Sequence, residues 1–159
     1  MKKPGFRALL QKLLQIEDTP ERTALAFSAG VFLGFSPFLG FHTLTGLAIA
    51  FLFRLNRVAV LLGVWSNTPW WLIPYYTFAT YVGMELVRFQ IDLHTLQAMF
   101  EGARREGFIR SGFWSWMASQ RGLLASFLVG SSVLAAALAL VAYPLSLKGI
   151  QFYRSRRRS

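Results

Sequence analysis

Three long stretches without a charged residue constrain this chain more than any other feature of its sequence. Residues 23–53, 58–84 and 122–147 contain no Asp, Glu, Lys or Arg and consist mainly of apolar side chains. A helix needs about 20 apolar residues to cross a hydrocarbon core about 30 Å thick. Each stretch exceeds that length, and a soluble domain rarely uses helices that are apolar on every face. We therefore expect an integral membrane protein.

The composition excludes several classes of function. Charged residues make up 15% of the 159 residues, against about 25% in a typical soluble domain. The absence of cysteine excludes disulfide scaffolds and thiolate catalysis, and two histidines are too few for a zinc site. No carboxylate lies inside the apolar stretches. We therefore expect no metal, no cofactor and no enzymatic activity.

The first two apolar stretches carry helix-breaking residues in their interiors. Pro37 lies between Gly34 and Gly40, and Pro69 directly follows Ser66-Asn67-Thr68. An internal proline removes a helical hydrogen bond and clashes with the preceding turn. Because glycine or short polar residues stand beside each proline, we predict that both stretches are interrupted or re-entrant. The residues expected to form these breaks are Gly34, Pro37, Gly40 and Pro69.

The first break is expected at membrane depth. The twelve residues from Ala24 to Phe35 would form about 18 Å of helix, roughly half of the hydrocarbon thickness. Irregular backbone at that depth must be buried in protein or line a wet cavity. Paired interrupted segments are also the pattern from which transporters build a central binding site. Whether the two segments form a true internal repeat is left open by their weak identity.

The third stretch, 122–147, is rich in Ala and Leu and predicts one plain transmembrane helix. Small residues recur at every fourth position in this stretch and in the first one, a pattern that permits close helix packing within one chain or between two copies. These stripes are Ala26, Gly30 and Gly34, and Ser131, Ala135 and Ala139.

Outside these stretches the chain is basic and amphipathic. Residues 1–19 predict an amphipathic helix. Residues 85–121 predict an interfacial region rich in aromatic residues, within a membrane core over 20–147. The whole chain, 1–159, is expected to form a single domain. Residues 148–159 form a basic tail whose arginines suit anionic lipid better than nucleic acid. The tail arginines are Arg154, Arg156, Arg157 and Arg158. Because basic residues lie in every loop, the positive-inside rule does not fix the orientation.

Several motifs in order resemble those of a known family. They are the Gly-Val-Phe-Leu-Gly-Phe-Ser-Pro-Phe-Leu-Gly-Phe-His-Thr segment at 30–43, Phe53-Arg54-Leu55-Asn56-Arg57, Gly63-Val64-Trp65-Ser66-Asn67, and the tyrosine pair at 75–76. Over roughly residues 20–145 the chain resembles domain-of-unknown-function family 2062, small bacterial integral membrane proteins. It departs from the family pattern in placing Thr68 between Asn67 and Pro69. The resemblance implies a bacterial envelope setting, since some relatives carry glycosyltransferase-like domains.

Polar and aromatic side chains beside the breaks are the candidate ligand-binding residues. His42 is the one histidine within the apolar stretches, where ionisable groups usually mark function. It suits proton relay or anion binding, and equally a structural hydrogen bond to a carbonyl that the break leaves free. The second stretch also holds an aromatic cluster, which suits either a ligand platform or packing; its members are Trp65, Trp70, Trp71, Tyr75 and Tyr76. The candidates are Ser36, His42, Thr43, Asn67, Thr68, Trp70 and Trp71.

We thus expect an all-α, polytopic protein of the bacterial cytoplasmic (inner) membrane. It would combine two Pro-broken or re-entrant segments, one plain transmembrane helix and amphipathic interfacial helices. A transporter- or channel-like protein with a site between the breaks is one reading. The alternative is a non-catalytic module that supports envelope or lipid-linked glycan processes. Anionic membrane lipids, a second copy of the chain and an envelope enzyme are the expected partners, and nucleic acid is not.

Overall fold

The computed structural model describes residues 18–38, 40–88, 94, 115 and 118–158. Within these residues the fold is all-helical and contains no strand, which confirms the helical class. The predicted amphipathic helix over 1–19 lies outside the described residues except for residues 18 and 19, and most of the interfacial segment 85–121 also lies outside them. The helices are α1 (Pro20–Phe35), α2 (His42–Leu52), α3 (Arg57–Val64), α4 (Pro69–Val87) and α5 (Arg121–Arg158).

Local sequence signals explain where these helices begin and end. The Thr19 hydroxyl accepts a hydrogen bond from the Arg22 amide at 3.3 Å, and Pro20 occupies the first turn, so α1 starts with a side-chain cap. Both breaks are real interruptions, because no described helix runs across 36–41 or 65–68. Pro69 is the first residue of α4, where its missing amide hydrogen costs nothing.

The first break reverses the direction of the chain. The Arg22 guanidinium, near the start of α1, donates to the Arg54 carbonyl, just after α2, at 3.0 Å. The return of α2 therefore brings the chain back to the end at which α1 began. Arg154 of α5 donates to the Asp18 carbonyl at 2.7 Å at this same end. We call it the basic end, with Arg22, Arg54, Arg57 and Arg154 as its members.

The second break does not reverse the chain. Helix α3 runs parallel to α1, since Gly30 packs against Val60 and Gly34 against Val64. Helix α4 then continues away from the basic end and packs antiparallel to α5, with Gly83 against Ser126. The Ser28 hydroxyl donates to the Ala139 carbonyl at 2.7 Å, which places α5 antiparallel to α1 as well.

Two glycine pairs allow helices to cross at very short range. A Cβ atom on Gly30 would overlap the carbonyl oxygen of Val60, and one on Gly63 would overlap that of Phe27. Gly83 and Gly130 form the equivalent crossing of α4 with α5, again against backbone. Such small residues stabilise helix pairs through close packing.

The predicted stripes of small residues are used inside the chain. Ala26 and Ala135 are fully buried, Ser131 is buried, and Gly30 and Gly34 pack on α3. These contacts all lie within one chain.

Helix α5 contains the candidate membrane span. Its residues Arg121–Arg156 form the one described helix that is both long and apolar enough to cross a membrane. The helix continues through Pro144, in agreement with the predicted plain span. Length and composition alone give weak support for membrane association. Many large apolar side chains are nevertheless exposed on α1, α2, α4 and α5, including Leu25, Leu44, Leu52, Trp70, Phe78, Leu140 and Leu145.

Candidate functional site: the meeting point of the two breaks

Side chains from the breaks themselves satisfy the last carbonyl groups of α1. The Ser36 hydroxyl donates to the Leu33 carbonyl at 2.8 Å. The Asn67 amide, from the second break, donates to the Gly34 carbonyl at 2.8 Å. The final carbonyls of any helix lack partners within it, and each costs free energy if left unpaired in apolar surroundings. The two breaks are therefore in direct contact.

Two tyrosines of α4 complete this arrangement. The Tyr75 hydroxyl donates to the Phe35 carbonyl at 3.0 Å, and the Tyr76 hydroxyl donates to the Ser36 carbonyl at 2.8 Å. Tyr76 is fully buried, and its ring centroid lies 5.4 Å from that of Phe127 on α5. Four successive carbonyls at the end of α1 thus each receive a side-chain donor. We call Ser36, Asn67, Tyr75 and Tyr76 the carbonyl seal.

The helix N-termini at the breaks are not capped in this way. Neither Phe41 before α2 nor Thr68 before α4 makes a side-chain capping hydrogen bond. By contrast, Thr19 caps α1, and Asn56 caps α3 by accepting from two backbone amides. The first amide groups of α2 therefore present partial positive charge at the first break. At the start of α4, Pro69 has no amide hydrogen and the Trp71 amide donates to the Thr68 carbonyl at 3.0 Å. The Asn67 side-chain oxygen, at the second break, is buried and has no hydrogen-bond partner among the described residues.

The meeting point lies far from both ends of α5. The Tyr75 hydroxyl is 3.4 Å from the Ser131 carbonyl, so the point where the two breaks meet lies beside Ser131 of α5. Ser131 follows Arg121 by ten residues and precedes Lys148 by 17 residues. At 1.5 Å per residue these spacings correspond to about 15 Å and about 25 Å of helix. The polar groups of the breaks are thus held between two apolar lengths of α5.

The structure separates the predicted site residues into three groups. Ser36 and Asn67 come together in the carbonyl seal. His42 and Thr43 are half-buried in the first turn of α2, and within the described residues the His42 side chain makes no hydrogen bond. Thr68, Trp70 and Trp71 are exposed, the two tryptophans at 89% and 65%. Their rings face outward and do not enclose an internal cavity.

The tail arginines divide similarly. Arg154 binds the Asp18 carbonyl, and the Arg156 guanidinium lies over the Phe152 ring, 4.7 Å from its centroid. The side chains of Arg157 and Arg158 lie outside the described part of the chain.

The roles of four residues were not predicted from the sequence. The Tyr75 and Tyr76 hydroxyls act as helix caps, and Gly83 and Gly130 permit the crossing of α4 with α5. A buried tyrosine hydroxyl requires a partner, so a tyrosine pair inside an apolar stretch signals a nearby unpaired carbonyl. The glycine pair has no comparable local signal.

An open groove of about 460 Å³ runs along α1 and α5. Its lining is almost wholly apolar and comprises Leu25, Ser28, Phe32, Ala136, Ala139, Leu140 and Tyr143. The Ser28 hydroxyl already donates to the Ala139 carbonyl, so the groove presents mainly apolar side chains to whatever occupies it.

Comparison with known sequences gives one clear match. The family DUF2062, described as "Uncharacterized protein conserved in bacteria", matches residues 3–159. Searches of curated proteins and of solved structures gave no match.

Proposed function

The chain belongs to the DUF2062 family, and from that premise we propose a multi-pass protein of the bacterial cytoplasmic membrane with a transporter- or channel-like function. In this proposal α5 crosses the membrane once, and α3 with α4 form a second, interrupted crossing. The hairpin of α1 and α2 enters from the basic end and returns to it. The exposed apolar side chains on α1, α2, α4 and α5 support lipid as the surrounding medium.

The charges support an orientation with the basic end in the cytoplasm. Arg22, Arg54, Arg57 and Arg154 lie there, and Lys148 and Arg156 lie on the same half of α5. Near the opposite end, the described residues carry Glu85, Arg88 and Arg121. The positive-inside rule favours the cytoplasm for the more basic side.

The uncapped N-terminus of α2 is the observation that carries the proposed solute site. Polar backbone groups at membrane depth need a partner, and no described side chain caps the first amides of α2. Water or a small polar or anionic solute would satisfy them, as half-helix ends do in transporters. His42 and Thr43, in the first turn of α2, are the side chains best placed to contact such a solute. We propose no covalent chemistry at this site.

Uptake into proteoliposomes tests this function. We expect the wild-type protein to carry one member of a panel of small anions and polar solutes faster than protein-free liposomes. His42→Ala should reduce that flux about tenfold or more without a loss of stability, because the side chain makes no described hydrogen bond. His94→Ala, at an exposed position between α4 and α5, is the matched control and should leave flux unchanged. Absence of any wild-type flux, or an equal loss in both variants, contradicts the proposal.

A second candidate is a non-catalytic membrane module that contacts lipid or an envelope enzyme. The carbonyl seal favours it, because Ser36 and Asn67 are used to stabilise the fold, and the glycine crossings leave little room for moving helices. The apolar groove along α1 and α5 offers a surface for lipid or a partner helix. Pull-down of an envelope glycosyltransferase from a strain expressing the chain, together with zero flux, would favour this candidate.

A further inference from the structure

Helix α2 is packed less tightly than the helices around it. Of its 11 residues, Gly46 and Ala50 are buried, whereas half of the residues in α1 and in α3 are buried. A Cβ atom on Gly46 would have side-chain carbons of Val64, Val60 and Leu33 as its nearest contacts, at 3.0–3.6 Å. The glycines that join the other helices contact backbone atoms instead. Separating α2 from its neighbours therefore breaks fewer close contacts than separating α1 from α3 or α4 from α5.

The two ends of α2 are held differently, and the basic end is the fixed one. The Arg54 carbonyl, just after α2, accepts a hydrogen bond from Arg22 at 3.0 Å. The Arg57 guanidinium lies over the Phe51 ring, 3.8 Å from its centroid. Together with the short turn over residues 53–56, these contacts hold the last turn of α2 beside the start of α3.

The other end of α2, residues 42–46, lacks such restraints, and we call it the break half. Among the described residues, no side chain of the break half makes a hydrogen bond, and no side chain caps its first turn. Gly40, just before the helix, has a φ of 89°, and no atom lies within 4 Å of the position of its Cβ. Glycine adopts this backbone region without strain, and few contacts make a segment easy to displace. Gly40 is therefore suited to act as a hinge.

The break half covers one side of the meeting point of the two breaks. Val64 and Leu33, which lie beneath Gly46, are 1% and 4% exposed. Val64 also packs on Gly34, whose carbonyl accepts from the Asn67 amide of the second break. Displacement of the break half would therefore uncover the polar groups of the breaks from the side.

We propose that the break half of α2 is a lateral gate, which swings outward about Gly40 and the fixed turn at 53–56. Residues 42–52 carry no charge, and lipid replaces the protein contacts of an apolar helix face at little cost in free energy. The moving helix carries His42 and Thr43 with it. That the gate admits water and a small polar or anionic solute rests on the proposed function, whereas the motion itself does not.

Thiol labelling of the purified full-length protein in detergent tests the motion. Val64→Cys places a thiol beneath the break half, and Ala79→Cys, at a 0% exposed position where α4 crosses α5, is the matched control. We expect N-ethylmaleimide to label Val64→Cys about tenfold or more faster than Ala79→Cys. The free energy of unfolding in SDS, measured for each variant, corrects the rates for global unfolding. Leu33→Cys is a second reporter with the same expected ratio, and rates equal to that of Ala79→Cys in both reporters would overturn the gate.

A disulfide tests whether the motion controls solute flux. The Cβ position on Gly46 lies 3.0 Å from a side-chain carbon of Val64, so Gly46→Cys with Val64→Cys brings two thiols within reach of a disulfide. We expect oxidation of this pair to reduce flux into proteoliposomes about tenfold or more, and a reductant to restore it. Flux through Val64→Cys alone should be insensitive to the oxidant. Failure of the pair to cross-link would contradict the closed contact of α2 with α3.

Failure of the gate and failure of transport give different results. Unchanged flux in the cross-linked protein would overturn the gate and leave transport intact. Absence of flux in the wild type would contradict transport, and the labelling ratio would still decide whether the break half moves.

Discussion

The two breaks contain similar residues but differ in the direction that the chain takes after each of them. At 36–41 the chain reverses, and α2 returns to the basic end; at 65–68 it continues in the direction of α3. The first break ends a helix whose last carbonyls receive donors from Asn67, Tyr75 and Tyr76. The second break supplies one of those donors and starts the helix that supplies the other two.

This difference indicates that the two breaks form one structural unit. The first break is stable in apolar surroundings because the second segment satisfies its carbonyls. The different outcomes at Pro37 and Pro69 also argue against a strict structural repeat, although both motifs have a short polar residue before proline.

The largest expected effect concerns the crossings that hold the two segments in place. Gly30→Ala and Gly130→Ala each force a Cβ against a carbonyl oxygen of the neighbouring helix. We expect a loss of about 3 kcal/mol or more in the free energy of unfolding, at the upper end for overpacking. Unfolding with SDS in mixed micelles measures it. Gly149→Ala, with no atom within 4 Å of its Cβ, is the control and should be neutral or slightly stabilising. Equal losses in the free energy of unfolding at the three positions would contradict the close helix crossings at Gly30 and Gly130.

An intermediate effect is expected for the carbonyl seal. Tyr76→Phe removes the donor to the Ser36 carbonyl while keeping the ring, which leaves a buried acceptor unpaired. The expected loss is about 1–3 kcal/mol. Tyr75→Phe should cost less, because Tyr75 is only half-buried. Tyr81→Phe, at an exposed tyrosine on the same helix, should be close to neutral. The same unfolding assay applies, and a neutral Tyr76→Phe would show that the seal contributes nothing.

The smallest expected effect distinguishes a capped from an uncapped helix start. Thr19→Ala removes the hydroxyl that accepts from Arg22, with an expected loss of about 1 kcal/mol. Thr68→Ala should change stability less, since Thr68 makes no capping hydrogen bond. A larger loss for Thr68→Ala would mean that its hydroxyl has a partner at the second break.

Local sequence signals predicted the interruptions but not their geometry. Pro37, Pro69 and the glycines and short polar residues beside them indicated the breaks, and the charge-free stretch 122–147 indicated α5. These signals depend on residues close in the chain. The direction taken after each break depends on contacts between distant residues, such as Gly30 with Gly63, which no local pattern contains.

The candidate site was predicted in part for the same reason. Ser36 and Asn67 were selected as candidate ligand-binding residues beside the breaks, and in the structure both donate to carbonyls at the end of α1. Tyr76 reaches a carbonyl 40 residues earlier in the chain. Such a partner follows from the packing of α4 against the end of α1, so the sequence indicated an aromatic cluster but not its hydrogen bonds.

Cysteine labelling in oriented membranes tests most directly the claim that the first break reverses the chain and the second does not. The chain has no cysteine, so single variants need no background removal. Glu21→Cys, Phe53→Cys and Gln120→Cys place thiols at exposed positions in the first turn of α1, after α2 and before α5. We expect a membrane-impermeant maleimide to label residues 21 and 53 from the same side and residue 120 from the other. Labelling of residue 53 from the side of residue 120 would contradict the account.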